Sequence, residues 1–273
     1  MNENKHLVSP QWLYQQLNNP QLVVVDCRFQ LKEPKWGYQQ YLKAHIPGSY
    51  YLDLDRDLSS TVEKHGGRHP LPRAELLAQK LAASGIIKDE TLVVAYDDSR
   101  FAFAARLWWL LRYLGHDRVA LLDGGWNAYR SAGYPISDVV PSSGQGTFIP
   151  QPRRDSIVDI ETVKARKDRS SVVLVDSRDE ERYRGETEPI DPIAGHIEGA
   201  VNSPWKQVTD EGGYFLRESA QQLSDRYSHA SEIIVYCGSG VTACVNLFSL
   251  DVVGIDNAKL YAGGWSDWCS YLV

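Results

Sequence analysis

The sequence predicts an α/β fold of two tandem domains, each a parallel sheet flanked by helices. Three observations carry this. First, four segments occur twice in the same order: LVVVDCRF (22–29) with VVLVDSRD (172–179), AHIPG (44–48) with GHIEG (195–199), LVVAYDDS (92–99) with EIIVYCGS (232–239), and LLDGGW (121–126) with LYAGGW (260–265). Chance supplies one such match, whereas four in register mark an internal duplication. Second, the strand candidates are continuous apolar, β-branched runs, as strands buried on both faces should be. Third, these runs alternate with helical segments, the pattern of a parallel sheet.

The elements follow in order. Ser9 and Pro10 read as the N-cap and first position of a helix. Leu22–Asp26 and Leu92–Tyr96 are buried strands, and Phe101–Leu114, apolar and rich in Ala, Leu and Trp, is a mostly buried helix ending at Gly115. The Pro-, Gly- and Ser-rich stretch 139–154 reads as a linker. Beyond it Asp159 caps a helix over 160–167, Val172–Asp176 and Ile233–Tyr236 are strands, and Thr242–Val253 is the counterpart of Phe101–Leu114. The expected division is therefore residues 1–138, a linker over 139–154, and residues 155–273. His45 and His196 are 151 residues apart, but Asp97 and Cys237 only 140, so the first repeat carries about eleven extra residues between His45 and Asp97. The polar stretch 60–72 is the place for them.

Composition bounds the function. The 273 residues are 43% hydrophobic, enough for two cores. A net charge of −6 weighs against nucleic acid as a partner, although backbone donors can still bind a small anion in an acidic protein. The four cysteines form no CxxC pair and have no metal-ligand spacing, so neither a metal site nor a disulfide framework is expected. The N-terminus lacks a basic then apolar leader, and no apolar run reaches about 18 residues, so neither a signal peptide nor a membrane span is expected. The expectation is a soluble, cytoplasmic protein. The nucleotide motifs GxGxxG and GxxxxGK[ST] are absent, and no cofactor is expected.

The strongest chemical signal is VYCGSGVTACVNLF (235–248): a strand, a Gly-rich loop opening on Cys237, then a helix. A cysteine at the end of a parallel strand lies in the crevice where such sheets bind ligands. Gly238 and Gly240 let the loop curl so that backbone N–H groups point inward, and the helix N-terminus adds partial positive charge. Both favour a thiolate. A cysteine phosphatase would need an arginine six residues on; Ala243 stands there, and no Arg or Lys occurs in 237–248. A cysteine hydrolase needs a histidine base, and none is local. A sulfur carrier needs only the thiolate and its cradle. Cys27, Cys244 and Cys269 read as core residues. His45 and His196, one per repeat beside a turn, read as structural hydrogen-bonding residues rather than metal ligands.

CGSGVTA closely resembles the active-site loop of the 3-mercaptopyruvate sulfurtransferases of the rhodanese superfamily. YLKAHIPGSYYL (41–52) and LYAGGWSDW (260–268) resemble the two signatures of that superfamily, with Ser49 where Ala is usual and Asp267 where Glu is usual. The resemblance spans nearly the whole chain. It implies two rhodanese domains of which only the second is catalytic, and Asp97, the counterpart of Cys237, cannot carry a persulfide. It implies that Cys237 takes sulfur from a small anionic donor, 3-mercaptopyruvate or thiosulfate, and yields it to a thiol or cyanide, a thioredoxin-like thiol among the candidates. Amides from Gly238 through Gly240 and Val241 to Thr242 would cradle the persulfide. Ser239, His69 and Asp55 would relay a proton, with Asp53 the rival to Asp55. Arg182 would bind the substrate carboxylate. A second family arginine is expected a few residues on, where this chain has Asp191; Arg184 or Arg68 are the candidates to replace it. A thiosulfate-preferring enzyme and a persulfide carrier serving a protein partner are the alternative readings.

Overall fold

The computed structural model describes residues 6–273. The chain forms two compact units: one of residues up to Ser60, Pro72–Arg153 and Glu211–Phe215, the other of Thr61–Leu71, Arg154–Asp210 and Leu216–Val273. Each repeat thus gives a short segment to the other unit.

The first unit contains β1 (Leu7–Val8), α1 (Pro10–Gln16), β2 (Leu22–Asp26), α2 (Trp36–Lys43), β3 (Tyr50–Tyr51), α3 (Ala74–Ala83), β4 (Leu92–Tyr96), α4 (Ala104–Tyr113), β5 (Val119–Leu122) and α5 (Gly125–Ser131). Its sheet runs β1-β5-β4-β2-β3, every pair parallel. The capping signal holds: Ser9 Oγ accepts from Trp12 N at 3.2 Å, and Pro10 opens α1. The central strands are apolar along their length because helices cover both faces; Val24, Val94 and Tyr96 meet Leu13, Trp126 and Tyr129 in one core. One boundary differs from expectation. α4 begins at Ala104, not Phe101, because Arg100 and Phe101 sit at φ 58° and 69°, outside the right-handed helix. The stretch 139–153 is bonded along this unit, with Gly144 N and Gly146 N on the carbonyls of Ala83 and Ala82, and Gln151 N on Leu114 O.

The second unit repeats the plan with β6 (Ile157–Val158), α6 (Ile160–Arg166), β7 (Val172–Asp176), α7 (Glu180–Arg184), β8 (Val201–Asn202), α8 (Arg217–Tyr227), β9 (Glu232–Tyr236), α9 (Ala243–Val252), β10 (Ala258–Tyr261) and α10 (Gly264–Cys269). Its order, β6-β10-β9-β7-β8, is that of the first sheet, again all parallel. Asp159 caps α6 by accepting from Thr162 N at 2.8 Å. Among the described residues no helix is long and apolar enough to cross a membrane.

The duplication extends to buried polar detail. At the ends of β2 and β7 the pairs Asp26–Arg28 and Asp176–Arg178 are fully formed ion pairs, each arginine lying over the Trp of its own GGW segment. His45 and His196 each hold a carbonyl through Nδ1 (Tyr41 O, 2.6 Å; Tyr183 O, 2.7 Å) and stack on that same tyrosine. Burial without a partner would make these groups costly, so each pair is satisfied in place.

Candidate active site

The loop after β4 shows what this fold's strand–loop–helix turn is built to hold. Asp97 is buried, and its carboxylate accepts four backbone amides: Ser99 N (2.8 Å) and Phe101 N (3.1 Å) on Oδ1, Phe103 N (2.9 Å) and Ala104 N (2.8 Å) on Oδ2. Burial raises its pKa and the amides pull it back, leaving it above the ordinary carboxylate value. The ring of N–H donors is a nest for an anion, closed by the N-terminus of α4.

In the second unit the same turn follows β9, and Cys237, 2% exposed, replaces the aspartate. Gly240 takes φ 71°, the left-handed position that Arg100 occupies in the first loop. A β-carbon there would lie 2.3 Å from Ala262 O, so only glycine fits. The GGW segment brackets the loop: Trp265 N donates to Cys237 O at 2.8 Å, as Trp126 N does to Asp97 O. A β-carbon on Gly264 would stand 2.5 Å from Cys237 O. α9 starts directly after Thr242, aiming its N-terminal partial charge at the loop.

The segment 65–69 completes the site. Gly67 approaches the backbone closely, its absent β-carbon 2.4 Å from Gly263 O. Gly66 N donates to Asp267 Oδ1 at 2.7 Å, Arg68 N to Ser266 Oγ at 3.0 Å, and His65 Nδ1 pairs with Ser270 Oγ. These bonds bring His69 to the loop, where Nδ1 meets Ser239 Oγ at 2.7 Å, both side chains buried.

Two guanidinium groups face Gly238. A β-carbon built there would lie 3.0 Å from Arg68 Nη2 and 3.6 Å from Arg182 Nη1. Their remaining edges are held by carboxylates. Arg68 Nη1 bonds Asp191, and Arg182 bonds Glu188 (2.6 Å) and Asp191 (3.2 Å). Glu188 also meets Arg178 at 3.2 Å, which joins this group to the Asp176 pair.

A rhodanese-like domain matches residues 9–132 and again 159–271. The chain belongs to the rhodanese family. It is 45% identical to a probable 3-mercaptopyruvate sulfurtransferase of Pseudomonas aeruginosa, over 96% of this chain and 94% of that one. It is 39% identical to a putative thiosulfate sulfurtransferase, SseB, of Mycobacterium tuberculosis, over 90% of this chain and 87% of that one. Its structure is similar to that of 3-mercaptopyruvate sulfurtransferase from Leishmania major, with a TM-score of 0.84 and 28% identity, covering 99% of this chain and 76% of that one.

In this rhodanese the second unit brings together eight of the residues singled out from sequence. Cys237, Gly238, Ser239, Gly240, Val241, Thr242, His69 and Arg182 gather at the loop after β9. Arg184 stands elsewhere: it pairs with Glu180 and Glu186 at the exposed surface of α7. Asp55 belongs to the first unit, where its amide and that of Arg56 donate to Asp53 Oδ1, both at 3.0 Å. Asp53 is therefore the buried member of that turn and Asp55 the exposed one. The other cysteines are packed inside. Burial and nearby Asp26 push the Cys27 thiol well up, and burial pushes Cys269 to about 11. Cys244 Sγ donates to Gly240 O. Sequence reasoning missed Ser266 and Asp267 as the anchors of the 65–69 segment. It read Asp191 only as a departure from the family; the available signal was that an acid at 191 complements the base at 68.

Proposed function

We propose that this rhodanese is a sulfurtransferase that moves sulfur through a persulfide on Cys237, with 3-mercaptopyruvate as its preferred donor. The observation that carries this reading is the placement of a cysteine where the sister loop holds a carboxylate on four amides. A turn shaped to receive an anion stabilises both a thiolate and the persulfide that grows from it.

The Cys237 thiolate attacks the sulfur of the donor. The carbon–sulfur bond breaks, its electron pair passes to the methylene carbon, and the resulting enolate takes a proton to become pyruvate. The hydrogen-bonded Ser239–His69 pair is the route for that proton. An acceptor thiolate then attacks the outer sulfur and leaves with it, restoring the Cys237 thiolate. A thioredoxin-like thiol fits this second step. All four cysteines are free thiols, which suits a reducing compartment such as the cytoplasm. Thiosulfate, a dianion without a carbon leaving group, makes no use of the Ser239–His69 pair, and this favours the 2-oxo thiol as donor.

The test is sulfur transfer from 3-mercaptopyruvate and from thiosulfate, side by side, in wild type and Cys237→Ser. The expected result is faster turnover of 3-mercaptopyruvate and a mass gain of one sulfur atom on the loaded enzyme, removed by added thiol. Transfer retained by Cys237→Ser would overturn the persulfide, and faster thiosulfate turnover would overturn the donor.

A further inference from the structure

We propose that Arg68, turned toward Gly238 by Asp191, is the second guanidinium of the donor site, and that Arg68 and Arg182 together grip the donor's carboxylate. The inference rests on the sulfur-transfer reading and names the residues that choose the donor. The geometry is one-sided for both arginines. Arg68 gives Nη1 to Asp191 and leaves Nη2 nearest the loop; Arg182 gives Nε and Nη2 to Glu188 and leaves Nη1 toward the same glycine. Gly238 is what leaves room for them, since the nearest atoms to a side chain there are these guanidinium nitrogens and no backbone. Two parallel donors from planar forks suit the two oxygens of a carboxylate.

Asp191 acts through Arg68 and is a positioning residue. It is buried, bonds both arginines, and fixes their spacing. The backbone of Arg68 is already held on Ser266, so the side chain needs only this one contact to point inward. The group as a whole balances: Arg68, Arg178 and Arg182 face Asp176, Glu188 and Asp191. A neutral cluster that still offers oriented N–H donors accepts a carboxylate monoanion more readily than a compact dianion, whose second charge meets no excess of cations.

The experiment compares kcat/KM for 3-mercaptopyruvate with that for mercaptoacetone, the same donor with a methyl group in place of the carboxylate. It uses the full chain as wild type, Arg68→Ala, Arg68→Lys, Asp191→Asn and the double variant, each checked by thermal melting. Arg68→Ala is expected to cut the preference for 3-mercaptopyruvate about ten-fold or more, the worth of a charge-assisted hydrogen bond, through KM rather than kcat. Arg68→Lys keeps the charge but loses the fork, and should fall between. Asp191→Asn should lower the preference too, and the double variant should lose less than the sum of the two single losses, because Asp191 acts in large part through Arg68. An unchanged preference in Arg68→Ala, or equal losses for both donors, overturns the role of Arg68. Additive losses in the double variant overturn that of Asp191. Wild type that moves no sulfur from 3-mercaptopyruvate overturns the underlying reading as well, which separates the two failures.

Discussion

Cys237 and Asp97 occupy one position of a duplicated turn, and in the first loop the side chain itself supplies the carboxylate that the ring of amides holds. Asp97 is the structural plug of the first loop. Asp97→Ala would leave four buried amides without their acceptor, and we expect a loss of about 3 kcal/mol or more in urea unfolding. In the second loop Cys237 is expected to be the reactive one among four buried cysteines. Iodoacetamide is expected to label Cys237 and spare Cys27 and Cys269, whose burial keeps them protonated at neutral pH; peptide mass mapping after brief exposure checks this. His69→Ala should lower kcat for 3-mercaptopyruvate about 100-fold, as loss of a proton-transfer group does, while Cys237 still accepts the label.

The two GGW segments act at the level of the element. Each lets a helix start pass directly over the carbonyl at the mouth of the neighbouring strand. The second glycine of each pair is at positive φ, and a β-carbon would come within 2.2 Å of Asp97 O at Gly125 or 2.5 Å of Cys237 O at Gly264. Gly125→Ala and Gly264→Ala should each cost about 3 kcal/mol from strain and overlap combined. Gly133, also at positive φ but in open space, should cost only about 1 kcal/mol when changed to Ala. Only Gly264→Ala should also reduce sulfur transfer, because it displaces the Cys237 carbonyl. Comparing the three melting curves with the three activities separates backbone conformation from steric overlap. Such pairs were readable as turns from sequence, since glycine repeats at matching places. Which carbonyl each one clears is set by the parallel register of β4 with β5 and of β9 with β10, which no local pattern states.

Across the whole molecule, the ionic group of the second unit links stability to pH. Burial alone would raise the pKa of Glu188, but Arg182 and the amides of Asp191 and Ile190 outweigh it and hold the carboxyl below its ordinary 4.5. The unfolded chain then binds more protons than the native one in this range. The stability the group contributes is present above pH 4.5 and is lost as pH falls through the lower native value. Glu188→Gln should therefore melt below wild type at neutral pH, with the gap narrowing on acidification; melting temperatures across that range test it.

What the sequence determined by itself is whatever repeats or is local: two α/β units of one topology, buried strands, the caps at Ser9 and Asp159, and Cys237 opening a Gly-rich turn before a helix. Periodicity, capping and turn chemistry act over a few residues, so they can be read from neighbours along the chain. Only the tertiary structure decided that residues 61–71 belong to the second unit and that α4 waits until Ala104. It also decided that His69 reaches Ser239, 170 residues away, and that Arg68 meets Asp191 rather than solvent. Those outcomes depend on desolvated charges and hydrogen-bond donors finding partners across the fold, and the free energy of that pairing exists only once the sheets have brought the loops together.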